Sequence, residues 1–391
     1  MSRFVYADNA ATTKIHDEVI GAMTPVLSEI YGNPSSIYTI GRTAKSYLDE
    51  ARKVVASAIN ALPDEIIFNS GGTEGDNTVL WGVARARSNK GRHIISSKIE
   101  HHAILHTLDA LKKEGFEITL LDVNSEGFVS PADLEAAIRP DTILVSIMTA
   151  NNEIGSIQPI RELGAICRAH KIPFHTDAVQ AIGHIAIDVQ EMNIDMLSLS
   201  AHKFGGPKGV GALYVRRGTA VRPYLTGGAQ ERNRRSGTEN TAGIVGMAKA
   251  LEISVAELES EKVRISALRD RLIDGVLKIP YTRLTGSRDN RLPGNASFCI
   301  EAIEGESLVL MLDMYGIAGS SGSACSSGSL DPSHVLMAIG LPHEIAHGSL
   351  RLSLGRDNTE ADVDYILETL PQVVARLREM SPVWEEMNKK G

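Results

Sequence analysis

The sequence predicts an α/β chain in which helices cover both faces of a mostly parallel sheet, followed by a smaller α+β unit. Three observations carry this prediction. From Glu65 onward, short apolar runs alternate with amphipathic stretches of helical spacing, the pattern of successive βα units. The clusters Ser70-Gly71-Gly72-Thr73-Glu74, Asn151-Asn152-Glu153, Thr176-Asp177-Ala178-Val179-Gln180 and Ser200-Ala201-His202-Lys203 each follow a predicted strand, where parallel sheets place their ligand sites. After about residue 262 the alternation gives way to a sparser mixture of strands and helices.

Taken in order, residues 1–15 read as an arm: a brief apolar patch, then Asp8-Asn9-Ala10-Ala11-Thr12-Thr13. A helix is expected from His16 to Ile30, and Tyr31-Gly32-Asn33-Pro34-Ser35-Ser36 is a turn by composition. The next helix puts Ala44, Leu48, Ala51, Val55 and Ala58 on one stripe, the spacing of a half-buried helix. Strands are expected over 65–68, 93–96, 117–121, 142–148 and 173–175. Helices are expected over 73–86, 101–113 and 160–170, with another opened by Ser130-Pro131, an N-cap followed by proline at the first helical position. The run Leu197–Val215 holds two apolar stretches around a glycine-rich turn. A long helix from Thr241 to Leu277 then links the layers, followed by strands over 295–300 and 350–354 and helices over 305–314 and 359–377. These textures divide the chain into a large unit, 16–261, and a small unit, 262–391, that also takes in the arm 1–15.

Composition narrows the function. A chain of 391 residues is long enough for two domains. Its net charge of −8 argues against nucleic acid as a partner, because phosphate binding wants a basic surface. The cysteines, Cys167, Cys299 and Cys325, lie far apart with no CxxC, so neither a metal site nor a disulfide framework is expected and a reducing compartment is. The N-terminus lacks the long apolar core of a signal peptide, and no apolar run is long enough to span a membrane. A cytoplasmic protein is expected.

Several residues stand where chemistry is done. Lys203 ends an apolar run with no sequence neighbour to balance its charge. Burial lowers a lysine pKa, and a neutral amine is a nucleophile able to form a Schiff base; the alternative is a solvated or phosphate-binding lysine in a turn. Gly71-Gly72-Thr73 lies between strand and helix, where free N–H groups and the helix dipole face an anion. Neither GxxxxGK[ST] nor GxGxxG is present, so the site suits a single phosphate, as on pyridoxal phosphate, or is an ordinary tight turn. Asp177 follows a short strand, where an unpaired carboxylate is costly. It suits a protonated ring nitrogen, with Gln180 near a ring hydroxyl, or serves as an N-cap.

His101, after Glu100 at a helix start, suits an aromatic ring that stacks on a cofactor and moves protons near neutral pH. His102 and His106 share a helix face, but no HExxH glutamate follows, so a surface role suits His102 and no metal is expected. Cys325 sits in Ala318–Ser329, where every other residue is Ala, Gly or Ser. Such a segment has little side chain to anchor it, and a thiolate there is a strong nucleophile with reach. Cys167 and Cys299 lie in an amphipathic helix and an apolar strand and read as core. Arg351, between apolar neighbours in a strand, wants an anion: a substrate carboxylate or a structural ion pair. Arg232, Arg234 and Arg235 read as a solvated loop.

Together these pieces resemble the pyridoxal-phosphate cysteine desulfurases of the NifS/IscS type, within the class-V aminotransferase family. The motifs that carry the resemblance run in register from near residue 5 to near residue 385: Asp8–Thr13, Gly32–Ser36, Gly72-Thr73-Glu74, Glu100-His101, Asn151-Asn152-Glu153, His175–Gln180, Ser200–Lys203 with Gly206-Pro207-Lys208-Gly209, Arg235–Asn240, Gly322-Ser323-Ala324-Cys325 and Arg351–Leu354. Gly75 departs from the pattern, standing where members of that family commonly carry serine.

The resemblance implies a fold-type-I transferase: a large domain around a mostly parallel seven-stranded sheet, a smaller α+β C-terminal domain, and a homodimer. It implies that Lys203 holds pyridoxal phosphate as a Schiff base, that Asp177 pairs with the ring nitrogen, that Gln180 reaches the ring hydroxyl, and that His101 stacks on the ring. Gly72, Thr73, Ser200 and His202 would hold the phosphate, with Thr238 arriving from the other subunit. Asn152 would serve cofactor and substrate, and Asn33 and Arg351 would bind substrate. L-cysteine would lose its sulfur to Cys325 and leave as alanine. An iron–sulfur scaffold protein would take the sulfur, and Cys325 would be the one candidate for a transient iron–sulfur ligand. A selenocysteine lyase or another class-V enzyme explains the Cys325 segment less well. A catalytically idle docking partner leaves the filled chemical positions without purpose.

Overall fold

Alternate residues of the central strands feed two different cores, which is why the sheet carries helices on both faces. Ile66, Phe68, Val145, Phe174, Leu197, Leu199, Ala212 and Tyr214 pack on one side. Their neighbours Ile67, Leu144, Met196, Leu213 and Val215 pack on the other, as the two-residue period of a strand requires. The computed structural model describes residues 3–322 and 332–390.

The chain opens with β1 (Val5–Tyr6), α1 (Asp17–Ser28) and α2 (Thr39–Ala58), then enters the alternating region. This comprises β2 (Ile66–Asn69), α3 (Gly72–Arg87), β3 (His93–Ser97), α4 (His102–Lys113), β4 (Glu117–Leu121), α5 (Pro131–Ala137), β5 (Thr142–Ser146), α6 (Ile160–Ala169), β6 (Phe174–Asp177), β7 (Met196–Ser200) and β8 (Gly211–Val215). The seven strands lie in the order β2-β8-β7-β6-β5-β3-β4. Only β8 runs against its neighbours β2 and β7; the other pairs are parallel. The helix starts read from sequence are present: Ser130 Oγ accepts the Asp133 N–H at 3.3 Å, and the stripe Ala44, Leu48, Ala51, Val55 of α2 is buried.

The second half adds α7 (Gln230–Asn233), α8 (Thr241–Ala256), α9 (Leu258–Val276), β9 (Thr282–Leu284), β10 (Asn295–Ile300), α10 (Gly305–Met314), β11 (Ile317–Ala318), α11 (His334–Ala338), α12 (His343–Ala346), β12 (Ser349–Ser353), α13 (Glu360–Glu379) and α14 (Pro382–Lys390). β12, β10 and β9 form an antiparallel sheet, and β11 pairs with β1 of the arm. The expected single helix from Thr241 to Leu277 is corrected to two, broken at Glu257. The reason is packing. Met247 and Leu251 of α8 belong to the core of the large sheet, whereas Leu268, Leu272 and Val276 of α9 belong to a second core with Val5, Phe298 and Leu352. One straight rod cannot face both. β9 and β11 escape a sequence reading because three and two residues show no period.

Candidate active site

The carboxyl ends of β2, β3, β5, β6 and β7 open on one side of the sheet, and each delivers one polar cluster. β7 ends at Ser200, and a single turn, Ala201–Lys203, follows. Lys203 Nζ donates to the carbonyls of Ala10 and Ala11 at 2.6 and 2.8 Å. Gln180 Nε2 donates to the same Ala10 carbonyl at 2.9 Å. The arm is therefore a wall of the site, and Ala10 and Ala11 join it through backbone atoms that no side-chain pattern announces. Thr13 fastens the arm by donating from N and Oγ1 to the His202 carbonyl, both at 2.9 Å.

Asp177 ends β6, buried, with Oδ1 accepting the Val179 N–H at 2.9 Å. Burial raises its carboxyl pKa, against the pull of that N–H, His101 and Lys203. Asp76 of α3 belongs to the same group, although nothing in the sequence reading singled it out. It stands on the buried stripe Asp76, Val79, Leu80, Val83, a carboxylate among apolar residues at helical spacing, and that was the available signal. Burial and the charge of Asp177 push its carboxyl well up, and Ser198 opposes. His175 lies between, with its ring nitrogens 2.8 Å from Ser146 Oγ and 3.1 Å from Ser198 Oγ. Burial pushes His175 down to about 3, so it stays neutral.

His101 is the N-cap of α4, its Nδ1 accepting the Ala103 N–H at 3.1 Å. Burial lowers its pKa, with Asp177 raising it and Lys203 lowering it. A neutral ring whose Nδ1 accepts carries its proton on Nε2. Beneath it, fully buried Glu100 is held by the Met148 N–H at 3.0 and 3.1 Å and by Ser97 Oγ at 2.5 Å, and burial pushes it up to about 8. His334 of α11 packs its ring 4.8 Å from that of His102, which lies 4.9 Å from His106; only the fold brings His334 there. Among the described residues no group of three His, Cys, Asp or Glu side chains is set to hold a metal ion.

The glycine turn forms a cradle. Gly71, Gly72, Thr73, Ser200, His202 and Lys208 line a cavity of about 430 Å³ at the N-terminus of α3. Gly71 has φ +142°, and a Cβ on Gly72 would stand 2.6 Å from Val179 Cγ2, so neither position accepts a side chain without strain. A Cβ on Gly75 would stand 2.7 Å from Ser198 Oγ; here the departure from serine goes with the Ser198 hydroxyl filling that space. Burial and Lys203 push His202 down to about 4.

At the far wall Arg351 of β12 is buried. Its Nη2 pairs with Asp8 Oδ1 at 2.9 Å and its Nη1 donates to the Asn152 carbonyl at 2.9 Å. Its Nε is buried with no partner among the described residues. Glu153 is bonded by Ser333 Oγ, and burial pushes it up to about 7, against Ser333 and Arg351.

Other expected residues fall elsewhere. Asn33 is exposed, its Oδ1 accepting the Ser35 N–H at 2.9 Å within its own turn. Thr238 is exposed and outside the cradle lining. Cys325 lies outside the described residues. Cys167 and Cys299 are buried, and burial pushes both thiols up to about 12, which makes them poor nucleophiles.

The arginine loop is corrected. Arg235 pairs with Glu74 through two bonds of 2.8 and 3.1 Å. Arg234 donates to the Asp64 carbonyl at 2.8 Å, and Glu231 takes both ends of Arg52 at 2.7 and 2.6 Å. Arg232 alone stays exposed. Burial raises the Glu74 carboxyl, but the Arg235 guanidinium and Ser70 outweigh it and hold it low.

A lysine at a strand end, a buried carboxylate, an N-capping histidine and a glycine cradle at one edge of a mostly parallel sheet define a class of enzyme. The chain belongs to the class-V aminotransferase family, whose model matches residues 5–366. It is 58% identical over 382 residues to the cysteine desulfurase IscS of Methanosarcina thermophila, covering 98% of this chain and 95% of that one. It is 56% identical over 392 residues to the cysteine desulfurase IscS of Clostridium botulinum, covering 100% and 99%. Among solved structures it matches a NifS-like protein at TM-score 0.91 and 39% identity, over 96% of this chain and all of that one. It also matches SspA in complex with cysteine at TM-score 0.80 and 37% identity, over 89% and 98%.

Proposed function

We propose that the chain is a pyridoxal-phosphate-dependent cysteine desulfurase that takes sulfur from L-cysteine, leaves L-alanine and supplies the sulfur for iron–sulfur cluster assembly. The observation that carries this is the meeting of Lys203, Asp177 and His101, whose charges act on one another, at the sheet edge that also carries the glycine cradle.

The residues fit the cofactor. The cradle at Gly71–Thr73 is open to an anion and closed to side chains. Burial raises the Asp177 carboxyl pKa despite His101 and Lys203, and a protonated ring nitrogen beside it would favour its charged form. Gly72, Thr73, Ser200 and His202 would hold the phosphate, with Thr238 from a second subunit. Lys203 would hold the aldehyde covalently, Gln180 would bond the ring hydroxyl and His101 would cover the ring face. Bound there, the cofactor supplies an electron sink conjugated to the substrate's amino group.

Everything else falls to the chain. The Arg351 guanidinium, with Asn152, binds the substrate carboxylate and so fixes which bond at Cα lies toward Lys203. The Lys203 amine, free of the cofactor, would take the Cα proton and return it to Cα as alanine forms. His101, neutral with its proton on Nε2, holds a proton for the departing side of the substrate. Cys325 as thiolate attacks the substrate sulfur. The S–Cβ bond breaks as an S–S bond forms, Cβ gains a proton, and the products are a Cys325 persulfide and alanine.

The same proposal makes the protein a cytoplasmic homodimer that hands its persulfide to an iron–sulfur scaffold protein and binds neither membrane nor nucleic acid. Exposed Leu27, Tyr31, Ile37 and Tyr38 support a subunit face. Among the described residues no helix is long and apolar enough to cross a membrane. Its domains are 16–261, and 1–15 with 262–391, which the separate core around β10 and β12 supports.

The test is product stoichiometry. Purified protein reconstituted with pyridoxal phosphate and fed L-cysteine should release alanine and transferable sulfur one to one, and Cys325→Ser should lose both. Alanine release that survives Cys325→Ser would contradict the sulfur route. No alanine from the wild type would contradict the activity.

A further inference from the structure

We propose that Arg291 and Asn295 are positioning residues that hold the Asn152 loop in register for the amino-acid substrate, an inference that rests on the proposed desulfurase reading. Four consecutive carbonyls of that loop are gripped by the α+β unit. Arg351 Nη1 donates to the Asn152 carbonyl at 2.9 Å, and Asn295 Nδ2 to that of Glu153 at 3.1 Å. Arg291 Nη2 donates to the Ile154 carbonyl at 2.6 Å, and the Leu292 N–H to that of Gly155 at 2.9 Å. The Ile157 N–H returns a bond to the Asn290 carbonyl at 3.0 Å.

On its own side the loop is tied by Asn151, whose Oδ1 accepts the N–H groups of Glu153 and Ile154 at 2.8 and 3.0 Å. The clamp thus uses every carbonyl from 152 to 155 and leaves the side-chain amide of Asn152 out. That is the arrangement wanted where one side chain must meet a ligand while its backbone stays fixed.

The cost of the clamp argues for its use. Arg291 is buried, and its second bond from Nη2 is to the Thr285 carbonyl at 2.6 Å. Its Nε and Nη1 have no partner among the described residues, and neither has Asn295 Oδ1. Burial, with Arg269 and Arg288 nearby, pushes the guanidinium down to about 9. A leucine would fill such a place more cheaply, so the charge is kept for the one nitrogen that spans Ile154 and Thr285. Gly155 completes the fit: φ is +77°, and a Cβ there would stand 2.6 Å from Asn295 Oδ1.

The experiment uses the holoenzyme with Arg291→Met, Arg291→Lys and Asn295→Leu. The first readout is amide hydrogen exchange of peptides spanning residues 151–157 against those of β6 and β7. The second is the kinetics of alanine release from L-cysteine. Arg291→Met should speed exchange in 151–157 alone and raise KM about tenfold, the scale of its one charged hydrogen bond to the loop, with kcat and the visible spectrum held. Arg291→Lys should restore most of both, since one nitrogen makes both bonds. Asn295→Leu removes one bond and no charge, so it carries the test with a smaller KM rise if Arg291→Met fails to fold.

Unchanged exchange and KM in Arg291→Met overturn the proposal, as does exchange rising equally in β6 and β7, the mark of a merely structural role. If the wild type releases no alanine from L-cysteine, the desulfurase reading fails, while exchange in 151–157 still decides whether the clamp exists.

Discussion

The two ends of the candidate site are built from opposite charges: buried carboxyl groups under the sheet edge and a buried guanidinium across from them. Under the sheet edge lie Asp177, Asp76 and Glu100, all buried, their carboxyl groups raised by burial and, for Asp76 and Glu100, by the charge of Asp177. Across the site Arg351 is already paired with Asp8 and bonded to the Asn152 carbonyl. At the acidic end Lys203 and His101 already act on Asp177, yet burial keeps its carboxyl raised, and a protonated ring nitrogen would add a second cation there. The arginine end has its partner, Nε is left over among the described residues, and a carboxylate bound there, as proposed, would meet a guanidinium already held by Asp8. On the proposed function, the contrast would orient the reaction: cofactor at the acids, amino acid at the arginine.

The largest effect should come from breaking the acidic end. Asp177→Asn keeps the shape and removes the charge, and kcat should fall by at least about 10²-fold, the scale of a lost preorganised electrostatic partner. Steady-state kinetics with L-cysteine check this, and activity within a few-fold of wild type would dissolve the comparison. Next comes Arg351→Lys, which keeps the charge but loses the fork that spans Asp8 and Asn152. KM should rise about 10- to 100-fold, with kcat less affected. A fall in kcat alone would place the carboxylate elsewhere.

A smaller effect is on stability against pH. Glu100 keeps its proton in the folded chain up to about 8, whereas the unfolded chain releases it near its ordinary value. The unfolded state therefore binds fewer protons in that window, and this group's contribution to stability falls as pH rises through it. Glu100→Gln should flatten the fall in the urea midpoint between pH 5.5 and 8. A slope equal to the wild type's would show that Glu100 ionises normally. The smallest effect belongs to Asp76. Burial and Asp177 push the Asp76 carboxyl well up, toward its neutral form, so Asp76→Asn should change the charge of the site little. The pH profile of kcat/KM should move by less than about one unit, within the ordinary scatter of side-chain pKa values. A larger shift would mean that Asp76 carries charge in the working enzyme.

How legible this was depended on where each interaction is encoded. The strand–helix alternation and the polar clusters at strand ends are local patterns, so the parallel sheet and the places of Lys203, Asp177, His101 and Gly72 could be read directly. Asp76 was readable in principle, as a carboxylate on an apolar helical stripe. The arm carbonyls of Ala10 and Ala11 were not, because a backbone atom has no sequence signature. The Arg235–Glu74 and Arg52–Glu231 pairs join residues 161 and 179 positions apart, so the arginines looked solvated until the fold supplied their partners. The break at Glu257 was hidden for a similar reason: helical periodicity runs through it, and only two separate cores require the bend.

The most direct test of the charge polarity is a crystal structure of the pyridoxal-phosphate holoenzyme with the product L-alanine bound. The ring nitrogen should lie within hydrogen-bond distance of the Asp177 carboxylate, the phosphate against Gly71–Thr73, and the alanine carboxylate on the Arg351 guanidinium. A ring nitrogen turned away from Asp177, or an alanine carboxylate seated off Arg351, would contradict the account.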